Sequence, residues 1–137
     1  MSFIQQVSTN IAYTPVISGS TTAGTGTYTG GAASGGYSIV GNICHFWFNS
    51  TITAHTGTGN FQLSLPITAA TITNGRWGIT IGYLDAMTSP ASTYVTGVIS
   101  SAGTVMALQS AVVAGGAGTA LVLDVAHSIQ GSGWYNI

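Results

Sequence analysis

Residues 43–54 alternate between two sets of side chains with a period of two residues. Successive side chains of an extended strand point to opposite faces, so each set occupies one face. One face carries Cys44, Phe46, Phe48, Ser50 and Ile52, and the other carries Ile43, His45, Trp47, Asn49 and Thr51. No helical apolar periodicity persists over about ten residues anywhere, because serine, threonine and glycine interrupt each candidate helix. The pattern predicts an all-β protein in which this stretch is the longest strand and one of its faces is core.

Shorter alternating runs predict further strands. These runs are residues 11–15, 27–29, 37–40, 61–65, 77–83, 94–99, 105–108, 120–125 and 134–137. Short strands separated by turns at this spacing are typical of sandwiches and jelly rolls. The sequence therefore predicts one antiparallel β-sandwich or jelly-roll-like domain over residues 1–137.

The predicted turns are rich in glycine. Gly41 and Asn42 fit a two-residue hairpin turn of type II′, which requires glycine first. Asn74 and Gly75 fit a type I′ turn, so we expect a second hairpin between the runs on either side of them. Residues 18–36 are almost entirely glycine, serine and threonine, and this composition predicts a long loop around the short strand at 27–29.

Charge is nearly absent from the sequence, since only Arg76, Asp85 and Asp124 carry a formal charge among 137 residues. A polyanion needs a basic patch to neutralise its phosphates, so we expect no nucleic-acid partner. Disordered chains combine low hydrophobicity with high net charge, whereas 45% of these residues are hydrophobic. So few titratable groups also predict a nearly flat dependence of stability on pH between about pH 4 and pH 9.

One apolar stretch, residues 105–123, is long enough to cross a membrane as a helix. Glycines cluster at residues 115–118, and neither flank carries a lysine or an arginine. Two buried strands joined by a glycine turn account for the same residues, so we expect no membrane insertion. The first residues also lack the charged and apolar regions of a secretory signal, and we expect no export by that route.

Chemistry-bearing residues form no recognisable catalytic or metal-binding motif. The sequence contains no G-x-S-x-G nucleophile elbow. The three histidines, His45, His55 and His127, do not have the short spacing of metal ligands. Cys44 and His45 are adjacent on a strand and so point to opposite faces. Asp124 is expected to serve a turn or a strand end. We therefore predict no enzyme activity, no metal and no cofactor.

Aromatic residues are the strongest candidates for a functional surface. The candidates are Trp47, Trp77, Trp134, Tyr28 and Tyr135. Tryptophan and tyrosine are enriched in subunit interfaces, and they also offer flat faces to sugars beside hydroxyl-rich loops. We favour the interface role and keep glycan contact as the alternative.

Several short motifs resemble a known family. They are YSIVGNICHF at residues 37–46, TIT at 51–53, GTG at 57–59, LSLP at 63–66 and the ending IQGSGWYNI at 129–137. Together they are similar to the small β-sandwich modules of tailed-bacteriophage virion proteins, over about two thirds of the chain. The resemblance implies a homotrimer, used either as a head cement or decoration protein or as the distal, host-binding part of a tail fibre.

The sequence enters the predicted sandwich almost at once, with residues 1–10 as a candidate contact arm, whereas a fibre carries a long shaft. We therefore expect a homotrimeric capsid cement or decoration protein that binds the major capsid protein in the virion, after assembly in the host cytoplasm. The alternative is a receptor-binding module of a tail fibre or tailspike that binds a host-surface glycan.

Overall fold

The computed structural model describes residues 9–88, 93–112 and 118–137. These residues form strands joined by turns and loops, and every strand pair is antiparallel. The strands are β1 (Ile11–Tyr13), β2 (Ile17–Gly19), β3 (Gly26–Tyr28), β4 (Ser34–Val40), β5 (Ile43–His55), β6 (Phe61–Ser64), β7 (Arg76–Asp85), β8 (Thr93–Ser100), β9 (Val105–Val112), β10 (Thr119–Ala120) and β11 (His127–Asn136). The prediction of an all-β protein is confirmed.

The strands form one continuous sheet in the order β1-β4-β5-β11-β7-β8-β9-β6-β2, with β3 paired to β5 and β10 to β9. The sheet curls until its edge strand β2 reaches the far end of β5. There the Ile17 carbonyl accepts a hydrogen bond from His55 Nε2 at 3.0 Å, and the Ile17 N–H donates to the Tyr28 hydroxyl at 3.2 Å. The inner face of the curled sheet encloses the core.

Strand β5 has the two faces that the sequence predicts. On one face, the side chains of Cys44, Phe46, Phe48, Ser50 and Ile52 are buried, and on the other face His45, Trp47 and Asn49 are exposed. The turn before β5 is also as predicted, because Gly41 has a φ of 61° and β4 pairs with β5 from Val40 opposite Ile43. This two-residue turn fixes the register of β4 on β5.

The core is apolar, and aromatic rings from several strands meet in it. Phe46 meets Tyr135 edge to face with ring centroids 5.5 Å apart. The buried Tyr135 hydroxyl donates to the Ile67 carbonyl at 2.8 Å and accepts from the Ile67 N–H at 3.3 Å. Burial raises the pKa of the Cys44 thiol, so this buried cysteine is not a reactive thiolate.

Strand β11 begins seven residues before the predicted run at 134–137. The sequence does not alternate clearly here because Gly131 and Gly133 take two inward positions, and glycine is a poor strand former. Each glycine is needed where the core is close. A methyl group at Gly131 would lie 2.6 Å from Phe48 Cζ, and one at Gly133 would lie 2.6 Å from Ile79 Cδ1.

The prediction of a strand over residues 120–125 is wrong beyond Ala120. Leu121 donates to the Leu108 carbonyl and accepts from Phe61, whereas Leu123 donates to Gly59. Hydrogen bonds to β9 and to residues 59–61 hold this stretch. Its pairing with the second of these segments is a single isolated bridge between Val122 and Asn60, so it forms no ladder.

The second predicted hairpin is also wrong. Asn74 does turn the chain, with a φ of 53°, but residues 71–73 directly before it form no strand. The Ala70 N–H instead donates to the Asn136 carbonyl, and the Ile72 N–H donates to the Ser101 hydroxyl. Long-range contacts thus override the local turn signal in this segment.

The predicted loop at 18–36 is more ordered than its composition suggests. It holds the end of β2, the whole of β3 and the start of β4. Of the apolar stretch at 105–123, residues 105–112 and 119–120 are strands, and residues 113–117 lie outside the described part, as do residues 1–8 of the candidate contact arm. Within the described residues, no helix is long and apolar enough to cross a membrane.

Candidate binding face

The outer surface of strands β4, β5, β11 and β7 carries two exposed tryptophans, and we call it the outer aromatic face. The side chain of Trp47 on β5 is 43% exposed and that of Trp134 on β11 is 52% exposed. Strand pairing places His45 opposite Trp134 and Trp47 opposite Ser132. The two tryptophans are therefore diagonal neighbours, with a spacing of about 7–8 Å expected for such a pair.

Two open clefts lie on this face, and Trp47 and Ser132 line both. The first has a volume of about 340 Å³ and is lined by Asn10, Tyr37, Ser38, His45, Phe46, Trp47, Ser132, Gly133 and Trp134. The second has a volume of about 420 Å³ and is lined by Trp47, Phe48, Asn49, Thr80, Gly82, Gln130, Gly131 and Ser132. Both volumes fall in the lower part of the range for small-molecule sites.

Glycine on β4 lets the indole of Trp47 lie close to the backbone. Gly36 pairs with Trp47, and a methyl group there would lie 2.6 Å from Trp47 Nε1 and 2.5 Å from Asn10 Oδ1. The indole N–H of Trp47 and the carboxamide of Asn10 therefore both lie close to Gly36, and both residues line the first cleft. These two groups are polar donors and acceptors next to an aromatic surface.

The chemistry of the face is aromatic and hydroxyl-rich. Indole rings supply apolar area, while Ser38, Ser132, Asn10 and Asn49 supply hydroxyl and amide groups. Small-molecule sites have this composition, with mostly apolar walls and a few polar groups that orient the ligand. Such a face fits a ligand with both C–H surfaces and hydroxyl groups.

The other three aromatic candidates are buried or half-buried. Trp77 is 9% exposed and Tyr135 is fully buried, and their ring centroids are 6.4 Å apart. Burial raises the pKa of Tyr135. Tyr28 is half-buried and accepts the hydrogen bond from Ile17. Of the five candidates, Trp47 and Trp134 are the two that face solvent.

Two of the three histidines are buried and form hydrogen bonds with backbone groups. His55 Nδ1 accepts from the Gly57 N–H at 2.8 Å, so the proton lies on Nε2 and is donated to Ile17. His127 is buried, and its Nδ1 donates to the Asp124 carbonyl at 3.2 Å. Burial lowers the pKa of His127. His45 is the histidine that reaches the outer aromatic face.

Asp124 acts as predicted, just before a strand. Its carboxylate accepts a hydrogen bond from the Thr88 N–H, and its carbonyl accepts from His127. Within residues 9–88, 93–112 and 118–137, no group of three histidine, cysteine, aspartate or glutamate side chains is placed to hold a metal ion.

Sequence analysis did not find the polar residues of the clefts. The turn at Gly41 and Asn42 contains the signal for part of them, because it sets Ser38 opposite His45 and Gly36 opposite Trp47. The contribution of β11 and β7 depends on long-range pairing, for which the sequence has no local signal.

No family model matches the chain, and no curated protein matches it. Among solved structures, the fold is similar to part of the crystal structure of the Dettilon tailspike protein (gp208), with a TM-score of 0.71 at 14% sequence identity. The match covers 94% of this chain and 24% of the tailspike chain, so this chain spans about a quarter of that protein's length. At this identity the similarity shows a shared fold.

Proposed function

We propose that this chain is a virion module of a tailed bacteriophage, of the tailspike or tail-fibre kind, that binds a host-surface glycan through the outer aromatic face. The observation that carries the proposal is the pair of half-exposed tryptophans beside a cleft rich in hydroxyl and amide groups. A fold shared with part of a tailspike supports the same function. We take the module to be a homotrimer and to act by binding, without catalysis.

Exposed tryptophans on a strand surface need a physical reason. Each large ring leaves apolar area in water, and contiguous apolar patches on protein surfaces mark sites of interaction. A sugar ring can cover an indole with its C–H groups while its hydroxyls bond to Ser38, Ser132 or Asn10. Covering the ring in this way removes apolar surface from water at about 25 cal/mol per Å².

A second candidate is a head cement or decoration protein that binds the major capsid protein. Other apolar side chains support it, because Val16, Tyr94, Val122 and Val125 are all exposed. A protein with a net charge of −1 has little electrostatic protection against association. In this candidate the same tryptophans would be buried between subunits.

Binding to a glycan array tests the first candidate. We expect the intact protein to bind at least one class of bacterial surface glycan, and Trp134→Ala to weaken that binding at least tenfold. Tyr94→Ala is the matched control, because Tyr94 is an exposed aromatic on β8 that lines neither cleft. Binding to purified capsids without binding to any glycan would support the cement candidate instead.

A further inference from the structure

We infer that the two clefts beside Trp47 are consecutive subsites for one neutral oligosaccharide, which crosses the sheet from β4 to β7 with Trp47 between its sugar units. This inference rests on the proposed glycan-binding function. It adds the charge class of the ligand and its minimum length.

Strand pairing makes the two clefts continuous. Gly36 of β4 pairs with Trp47 of β5, Trp47 pairs with Ser132 of β11, and Ser132 pairs with Thr80 of β7. These four residues form one row across the sheet. Neighbouring strands lie about 4.8 Å apart, so the row extends about 14 Å, which is longer than one sugar ring.

The residues that line the clefts select against charge. Of the described residues, none that lines either cleft is an aspartate, glutamate, lysine or arginine. A charged sugar would meet no carboxylate, ammonium or guanidinium group among the described residues of either cleft, and His45 is the one lining side chain among them that can take up a positive charge. A sugar ion that leaves water is stabilised only where an opposite charge is present. Arg76, the one arginine of the sequence, lines a separate hollow with Asn74 and Ser100. The ligand that fits both clefts is therefore neutral.

Gly82 makes the second subsite separable from the first. It lines the second cleft on β7, and a methyl group added there would meet no atom within 4 Å. A Gly82→Leu substitution should fill the second cleft without disturbing the fold. Gly78 on the same strand is also open to solvent and lines neither cleft, so Gly78→Leu is the matched control.

The experiment has two steps and uses the full chain. A glycan array with neutral, sialylated and uronate-bearing oligosaccharides identifies the best ligand, and calorimetry then compares that oligosaccharide with its monosaccharide unit. We expect a neutral ligand, with the oligosaccharide bound at least tenfold more tightly than the monosaccharide. Gly82→Leu should reduce this ratio to about twofold without changing monosaccharide affinity, and Gly78→Leu should leave both affinities unchanged.

Asn49→Ala provides a second measurement should Gly82→Leu not fold. Asn49 is exposed and lines the second cleft but not the first. Its truncation should therefore lower the affinity for the oligosaccharide severalfold and leave the affinity for the monosaccharide unchanged. Preference for an acidic glycan, or an unchanged ratio in both variants, would overturn the inference and leave the proposed function intact. No glycan binding, or equal binding by Trp134→Ala, would overturn the proposed function itself.

Discussion

The three tryptophans should differ in what they contribute to stability, and their ranking separates a free outer face from a covered one. Alanine at each position removes the same side chain from a different environment. Trp77 is 9% exposed, Trp47 is 43% exposed and Trp134 is 52% exposed. If the outer aromatic face is free in the folded protein, the cost should fall in that order.

The size of each effect follows from burial. Replacing a buried tryptophan by alanine costs about 3–5 kcal/mol, and we expect this for Trp77→Ala. Trp134 buries about half of its side chain, so scaling by apolar area gives about 2 kcal/mol for Trp134→Ala. At about 4 °C per kcal/mol for a chain of this length, Tm should fall by about 12–20 °C and about 8 °C respectively.

Thermal and urea unfolding of the three variants measure these values, with equal m-values as the check that each still unfolds in two states. A Trp134→Ala variant as unstable as Trp77→Ala would refute the reasoning. It would show that Trp134 is buried by a neighbouring subunit, which is the arrangement expected of a cement protein. The glycan-binding proposal would then lose the surface on which it depends.

Three further predictions concern the core and the sheet. Burial lowers the pKa of His127, so as pH falls the unfolded chain takes up a proton at this residue before the folded protein does. The free energy of unfolding should therefore decrease below about pH 6.5, by at most about 1.4 kcal/mol per pH unit. His127→Gln should flatten the pH profile, whereas an equally steep profile in this variant would assign the slope to another group. Tyr135→Phe leaves both backbone groups of Ile67 without the hydroxyl and should cost about 1–3 kcal/mol in urea unfolding; no loss would mean that water replaces it. Gly131→Ala should cost about 1–3 kcal/mol because its methyl group would collide with Phe48 and the backbone, while Gly82→Ala should cost less than about 0.5 kcal/mol. Equal melting temperatures for the two alanine variants would contradict the packing described for β11.

The parts of the fold that the sequence predicts are those with local causes. The faces of β5 follow from period-two alternation, and the hairpin from β4 into β5 follows from Gly41 and Asn42. The first half of β11 was missed because Gly131 and Gly133 face inward, where close neighbours leave no room for an apolar side chain. Local alternation therefore disappears at the places where packing is tightest.

The expected pH response and the clefts show the same limit. Counting titratable groups predicts a flat profile, but the fold buries His127 in the core, which is a property of the tertiary structure. The clefts likewise depend on the pairing of Ser132 with Trp47, and these two residues are far apart in the chain. Neither the burial of His127 nor the pairing of Ser132 with Trp47 can be predicted from the neighbouring residues in the sequence.

The position of β11 has a consequence for biosynthesis. It is the last described strand in chain order, yet it lies in the middle of the sheet, paired along its length with β5 and over part of it with β7. While the ribosome has yet to release residues 127–136, the facing edges of β5 and β7 have unpaired backbone groups that other chains can bind. Contacts between distant residues also form slowly. Nascent chains thus remain open to mispairing at these two edges until the residues of β11 leave the ribosome.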